Sequence, residues 1–302
     1  MNHTGWLVND KLTAIPNTRT FWHDLLDYIP GLKDKTGGNT PFKMLVQHIE
    51  DCARHEGLPD YIIRNASYFN RIPLLVPTIS VLQDIGRARI DVCNASTVVV
   101  CNSSYTKSHY QNVIHAPIEI IPLGIDFDFF HSSNACNEKY GILDNSILFV
   151  GSSLSHPKGF DTIRKLIETT SYNFCLVMKD NFEMNHPRVR VFNKVSQNAM
   201  REIMNSCRLL VCTSVVETQH LAGLEAAACG LPLVVTNVGA YYDLQDGDWG
   251  CKVVDDNFIS CIEYVMQNTS IFSPRTFFLN RGFDKPTCMQ KWNTLIQRTI
   301  QR

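Results

Sequence analysis

The chain of 302 residues is short of several things, and each absence narrows the field. Net charge is only −1, so no overall basic field draws in nucleic acid or an anionic membrane. A local basic patch, and with it a DNA acceptor, is not excluded by that number. No apolar run approaches the roughly 20 residues that span a bilayer. The first 15 residues mix polar and apolar types, so no leader is expected there. There is no CxxC pair, and the 11 cysteines are an odd count scattered through apolar runs such as "RLLVCTSVV" and "YNFCLVM". That argues against a disulfide framework and a zinc knuckle. Cys in such runs reads as a small buried hydrophobe. A reducing, cytoplasmic compartment is the expectation, and the five Asn-x-Ser/Thr sequons then count as chance. Internal repeats and low-complexity tracts are missing. "GSSLSHPKG" lacks the spacing of a P-loop, and no His/Asp/Glu cluster has metal-ligand spacing, so no metal and no cofactor are expected.

What remains is an ordinary globular composition, 44% hydrophobic and 19% charged, at a length that suits two domains. The second half alternates strand and helix signals. "SILFVG", "YNFCLVMK", "RVRVF", "RLLVCTS" and "LPLVVTN" read as strands. "DTIRKLIETT", "SQNAMREIMNSC" (with Ser196 as N-cap) and "FISCIEYVMQN" read as helices. The first half is similar but less regular. "GWLVND", "FKMLVQHI", "DYIIRN", "PLLVPTISVL" and "STVVVCNS" read as strands, and "RTFWHDLLDYI" and "SSYTKSHYQNVI" as helices. "IEIIPLGIDFDFF" looks like a connector. The βαβα order implies parallel sheets covered on both faces. The expected class is α/β, with two doubly wound domains and ligands beyond the carboxyl ends of the strands.

One stretch stands out, "ETQHLAGLEAAACGLPLVVTNVG" at residues 217–239. Two carboxylates, Glu217 and Glu225, lie eight residues apart around the start of an alanine-rich helix that stops at Cys229-Gly230. Leu221, Leu224 and Ala228 fall at helical spacing as the buried stripe, with Glu225 at its edge. A helix start offers positive potential and unpaired N–H groups to a phosphate. Alternatively, Glu217 only stabilises the first turn and Glu225 is a surface residue.

The company of the pair decides more than the pair itself. Glu217 and Glu225 followed by "AAACGLPLVVTNVGAYYDLQDGDWG" resemble the nucleotide-sugar signature of the retaining family 4 glycosyltransferases, which have the two-domain GT-B fold. "VVVCNSSYTKSHY", "IEIIPLGIDFDFF", "LFVGSSLSHPKGFDTI" and "VFNKVSQNAMREIMNSCRLLVCTS" resemble further segments of that family, in its order. The resemblance implies two facing Rossmann-like domains, at 1–130 on the acceptor side and 131–280 for the nucleotide sugar. A C-terminal helix within 281–302 would pack back across the junction. It implies transfer of a sugar from a nucleoside-diphosphate sugar, as a donor substrate, to an acceptor hydroxyl. Glu225 would bind the ribose hydroxyls, Glu217 would lie near the donor sugar, and Lys158 would neutralise the diphosphate as its bond breaks. Thr218, Gln219, His220 and Leu221 would add phosphate and sugar contacts, and Lys194-Val195 would flank the base.

The departures are equally specific. Ser152 stands where the family has an arginine, six residues before Lys158. The glycine-rich turn after the first strand is "AIPNTRT", where Arg19 is either a substitute cation or a solvated residue after the caps Asn17 and Thr18. Gln83 and Asp84 replace a histidine at the end of the fourth strand, and "ETQH" replaces "EGFG". Asp84 and His220 read equally as sugar contacts and as turn or cap residues. The alternatives are an epimerase or hydrolase of the same fold, and a catalytically silent subunit that binds sugar nucleotides. The acceptor stays open: a glycan, a lipid-linked sugar, a protein, a small molecule or a modified DNA base.

Overall fold

The computed structural model describes residues 3–8, 21–35, 52–66, 76–86, 88–152, 156–253 and 255–301. The chain forms two compact units, Met1–Gly124 with Pro286–Arg302, and Ile125–Lys285. Each holds one six-stranded, all-parallel sheet among the described residues.

In the first unit, β1 (Gly5–Val8), β2 (Leu32–Asp34), β3 (Tyr61–Asn65), β4 (Thr78–Leu82), β5 (Val98–Cys101) and β6 (Ile118–Ile120) lie in the order β2-β1-β3-β4-β5-β6. Strand side chains alternate between faces. Leu7, Ile63, Ile79, Val81, Val98 and Val100 pack on one side with Leu25 and with Trp292, Leu295 and Ile296 of the helix Lys285–Ile300. Leu82, Val99 and Cys101 pack with Cys93, Tyr110 and Ile114. Ser103 caps the helix Ser104–Tyr110 by accepting from Thr106 N at 3.1 Å. Two strands here escape the pattern reading. β2 is three residues long with two of them charged, and β6 opens the segment read as a connector. Both are edge strands, too short to show a period of two. The strand expected at "FKMLVQHI" lies outside the described residues.

In the second unit, β7 (Ile147–Gly151), β8 (Phe174–Met178), β9 (Val189–Asn193), β10 (Leu209–Cys212), β11 (Leu233–Val235) and β12 (Gly250–Lys252) lie in the order β12-β11-β10-β7-β8-β9. The near-continuous apolar runs of these strands are what a sheet buried on both faces requires. Leu148, Cys175, Val177, Leu210, Cys212, Leu233 and Val235 share a cluster with Leu224, Ala227 and Phe278. Phe149, Phe174, Leu176, Leu209, Val211 and Val234 share another with Phe160, Ile163, Ile167, Ile262 and Val265. Ser196 caps the helix Gln197–Asn205, as its spacing suggested, accepting from Ala199 N at 3.3 Å. The chain runs outward from β7 through β8 to β9, then returns to place β10 on the other side of β7. The switch point of the sheet therefore lies between the carboxyl ends of β7 and β10.

The helix Leu221–Ala228 has a well-determined end. Gly230, at φ +87°, donates to Ala227 O at 2.9 Å, and Leu231 N donates to Ala226 O at 3.0 Å. This is a Schellman closure, for which glycine's tolerance of positive φ is suited. Arg275, on the helix Pro274–Asn280 that the pattern reading missed, takes up a further carbonyl. Its guanidinium donates to Ala228 O at 2.6 Å, Phe130 O at 2.8 Å and Phe127 O at 2.9 Å. It also lies over the Phe127 ring at 5.2 Å. A single cation thus ties a helix end to the turn at 127–130 near the start of the unit. Removing it strands three carbonyls, at about 1 kcal/mol or more each. Arg275→Ala should lower stability by about 3 kcal/mol in urea unfolding, and Arg275→Lys should recover only part of that, because an ammonium lacks the planar fork.

Candidate active site

Parallel α/β sheets bind ligands in the crevice at the switch point, outside the carboxyl ends of the strands. Here that means the loops after β7 and β10. β7 ends at Gly151, and Ser152 Oγ donates at once to the carboxylate of Asp180, which follows β8. The chain then makes a short helical turn, His156–Lys158, and reaches Gly159 at φ +66°. A Cβ at Gly159 would lie 2.0 Å from Thr213 O, so only glycine lets the turn sit this close to the end of β10. The contact is sewn on both sides. Thr213 Oγ1 lies 2.9 Å from both Lys158 O and Gly159 O, and Val215 N donates to Pro157 O at 2.9 Å.

That seam fixes Lys158. Its ammonium donates to Glu217 Oε1, and the two side chains are 34% and 13% exposed. The lysine after β7 and the first glutamate after β10, 59 residues apart, therefore meet as an ion pair across the switch point.

From Glu217 the loop passes Thr218 and the buried Gln219, whose carbonyl accepts from Ala240 N at 3.3 Å. His220 then enters the helix Leu221–Ala228 with φ +64°, a left-handed conformation that costs a non-glycine residue roughly 1–2 kcal/mol. His220 is 6% exposed, and its Nδ1 lies 2.9 Å from the hydroxyl of Tyr241. Burial, with a smaller push from the nearby Lys158 charge, lowers its pKa to about 3, so the ring is neutral at pH 7. Glu225, one turn into the helix, is partly buried, and desolvation pushes its carboxyl up to about 7.

Leu221 corrects the stripe read from the sequence. It is 42% exposed, while Leu224, Ala226, Ala227 and Ala228 are buried. The first helical residue projects at the site because the helix is buried by its later turns. Lys194 is exposed, with φ +52°, and its N–H donates to Met178 O at 3.0 Å. Val195 beside it packs on the core. Together they turn the chain at the carboxyl end of β9, two strands from β7.

The first unit places Asp84 just beyond β4, where its backbone carbonyl accepts from Tyr110 Oη at 3.1 Å. Gln83 Nε2 and Asn102 Nδ2 are buried there without a hydrogen-bond partner among the described residues. Register pairs Leu82 with Cys101, so these two amides leave neighbouring strands side by side at the carboxyl edge. Arg19 lies outside the described residues. Two Asp-x-Asp triplets, at 126–128 and 246–248, serve local structure: Asp126 accepts from Phe129 N at 2.9 Å and Asp246 from Lys252 N at 2.7 Å. Sequence reasoning passed over Thr213, Asp180, Tyr241 and Asn102. Thr213, Asp180 and Asn102 gave a signal, as polar residues one or two positions beyond a strand.

Two units, each with a six-stranded parallel sheet, have the architecture of the GT-B fold. Comparison with known proteins agrees on the fold. Residues 144–268 match the family of glycosyl transferases group 1. No curated protein matches the chain in sequence. Among solved structures, sucrose-phosphate synthase from Thermosynechococcus elongatus aligns over 98% of both chains, with TM-score 0.78 and 12% identity. HepE of Anabaena in complex with UDP-glucose aligns over 99% of this chain and 100% of its own, with TM-score 0.71 and 17% identity. A glycosyltransferase from Rickettsia africae covers 99% of each, with TM-score 0.72 and 14% identity.

The two perturbed groups give opposite pH ramps. His220 has a folded pKa of about 3, against about 6.5 when unfolded. The unfolded chain therefore takes up the proton first, and stability is lost as pH falls from 6.5 toward 3. Glu225 has a folded pKa of about 7, against about 4.3 unfolded. Its contribution is complete below about 4.3 and lost as pH rises through 7. Urea midpoints should therefore vary less between pH 6 and 4 in His220→Asn than in wild type. In Glu225→Gln they should vary less between pH 5 and 7.5.

Proposed function

We propose that this chain transfers a sugar, with retention, from a nucleoside-diphosphate sugar to an acceptor hydroxyl, and that the second unit holds the donor. The observation that carries this reading is the Lys158–Glu217 pair at the switch point. The bond that breaks joins the anomeric carbon to the β-phosphate oxygen, and negative charge grows on that oxygen. Lys158 meets this charge as the diphosphate competes with Glu217 for its ammonium. Glu217 is then released toward the donor sugar. Thr218 to Leu221 line the start of the following helix, where backbone N–H groups face an anion. Glu225 accepts two hydrogen bonds from the ribose, and Lys194-Val195 flank the base.

Ser152 is tied to Asp180, so it adds no cation. The second phosphate charge falls to Arg19 or to the helix start. On the acceptor side, Asp84 and the amide nitrogens of Gln83 and Asn102, which have no partner among the described residues, offer polar contacts to a hydroxyl-bearing molecule. This division of labour needs no metal and no cofactor. UDP is the first nucleotide to try, because solved neighbours hold it: HepE with UDP-glucose, and the pneumococcal O-GlcNAc transferase GtfA with UDP and GlcNAc.

A panel of UDP-, GDP-, ADP- and CMP-sugars, scored by thermal shift and nucleotide release, tests the reading. A true donor stabilises the fold by about 2.7 kcal/mol at a hundredfold excess over Kd. No response to any member would refute it. Lys158→Ala should lower kcat by about 10²–10³-fold, more than it raises KM, and activity should survive EDTA. For Glu225, donor affinity should climb as pH rises from 6 to 8, because the ionised carboxylate is the better acceptor. Calorimetry on Glu225→Gln should show at least a tenfold weaker donor and no such climb.

A further inference from the structure

Tyr241 is fully buried, and its ring stacks on Trp249 at 5.8 Å and 12°. Its hydroxyl has one polar partner among the described residues, His220 Nδ1 at 2.9 Å. Burial holds the phenol in its protonated form. A neutral imidazole carries one N–H, on Nδ1 or on Nε2. If Nδ1 carried it, that N–H would donate to the phenol oxygen and leave the phenol proton buried without an acceptor. If Nε2 carries it, the phenol donates to Nδ1, both atoms of this contact are satisfied, and the Nε2–H is left to donate elsewhere. The chain keeps room for this contact. A Cβ at Gly223 would lie 2.1 Å from Tyr241 Oη and 2.4 Å from His220 Nδ1. His220 holds its place in the left-handed region, which a smaller turn residue would occupy more cheaply.

We infer that Tyr241 is a positioning residue: its hydroxyl fixes His220 as the Nε2–H tautomer, so that the imidazole offers a neutral hydrogen-bond donor to an oxygen of the bound sugar nucleotide. This rests on the glycosyltransferase reading. The neutral form suits its neighbour. A cationic imidazole beside Lys158 would compete with the ammonium for Glu217, whereas an N–H adds a donor without adding charge. Diphosphate and sugar both present oxygen acceptors, and the two are separable by ligand.

The first measurement needs no variant. Nitrogen-15 NMR of the histidines in the ligand-free full chain at pH 7 should show His220 with its proton on Nε2 and Nδ1 accepting. An Nδ1–H tautomer, or a fast average of the two, overturns the assignment. Tyr241→Phe keeps the ring on Trp249 and removes only the hydroxyl. It should release the tautomer and weaken UDP-glucose at least tenfold in calorimetry. In a His220→Asn background the same change should cost less than twofold, because the two residues act as one unit. An undiminished loss in that background would mean that Tyr241 acts only through packing, and the inference fails. A loss shared by UDP alone assigns the contact to the diphosphate, and a loss confined to UDP-glucose assigns it to the sugar. A wild-type chain that binds no sugar nucleotide refutes the glycosyltransferase reading, while the tautomer measurement still decides what Tyr241 does to His220.

Discussion

The second unit depends on one close approach, the backbone of Gly159 against the carbonyl of Thr213. Two loops leave neighbouring strands on opposite sides of the switch point, and nothing in a parallel sheet obliges them to touch. Gly159 lets them, the hydroxyl of Thr213 holds both carbonyls of the turn, and Lys158 is delivered to Glu217. Without that seam Lys158 would be a solvated loop residue. With it, an ammonium is held at the switch point by a carboxylate, which on the proposed reading is where diphosphate charge develops. Preorganisation of this kind moves the cost of ordering a cation from the reaction to folding.

Around the seam, polar groups are buried in a graded way. His220 is kept neutral, Glu225 is poised near neutrality, and Tyr241 stays protonated. All three follow from desolvation, which disfavours whichever form is charged. The Lys158–Glu217 pair sets an ammonium directly against a carboxylate. The carboxyl edge of the first unit differs. There two buried amide nitrogens, Gln83 Nε2 and Asn102 Nδ2, have no hydrogen-bond partner among the described residues. Unsatisfied buried donors are costly, and a hydroxyl-bearing ligand would satisfy them.

The sequence determined the class of fold, because the apolar runs and amphipathic stretches of the second half have unmistakable periods, and caps such as Ser196 and Gly230 are local chemistry. The resemblance to family 4 glycosyltransferases, not spacing alone, singled out Lys158, Glu217 and Glu225, and the structure pairs the first two. The pattern reading missed β2, β6 and β12, which are three-residue strands without a period. It put Leu221 in the core, because helical spacing cannot say where along a helix burial begins. Only the tertiary structure decided that Thr213 clamps the turn before Lys158, that Asp180 occupies Ser152, and that Tyr241 reaches His220. Those partners lie 54, 28 and 21 residues apart in the chain. The order of strands in the sheet, which no local pattern encodes, is what brings them within hydrogen-bonding distance.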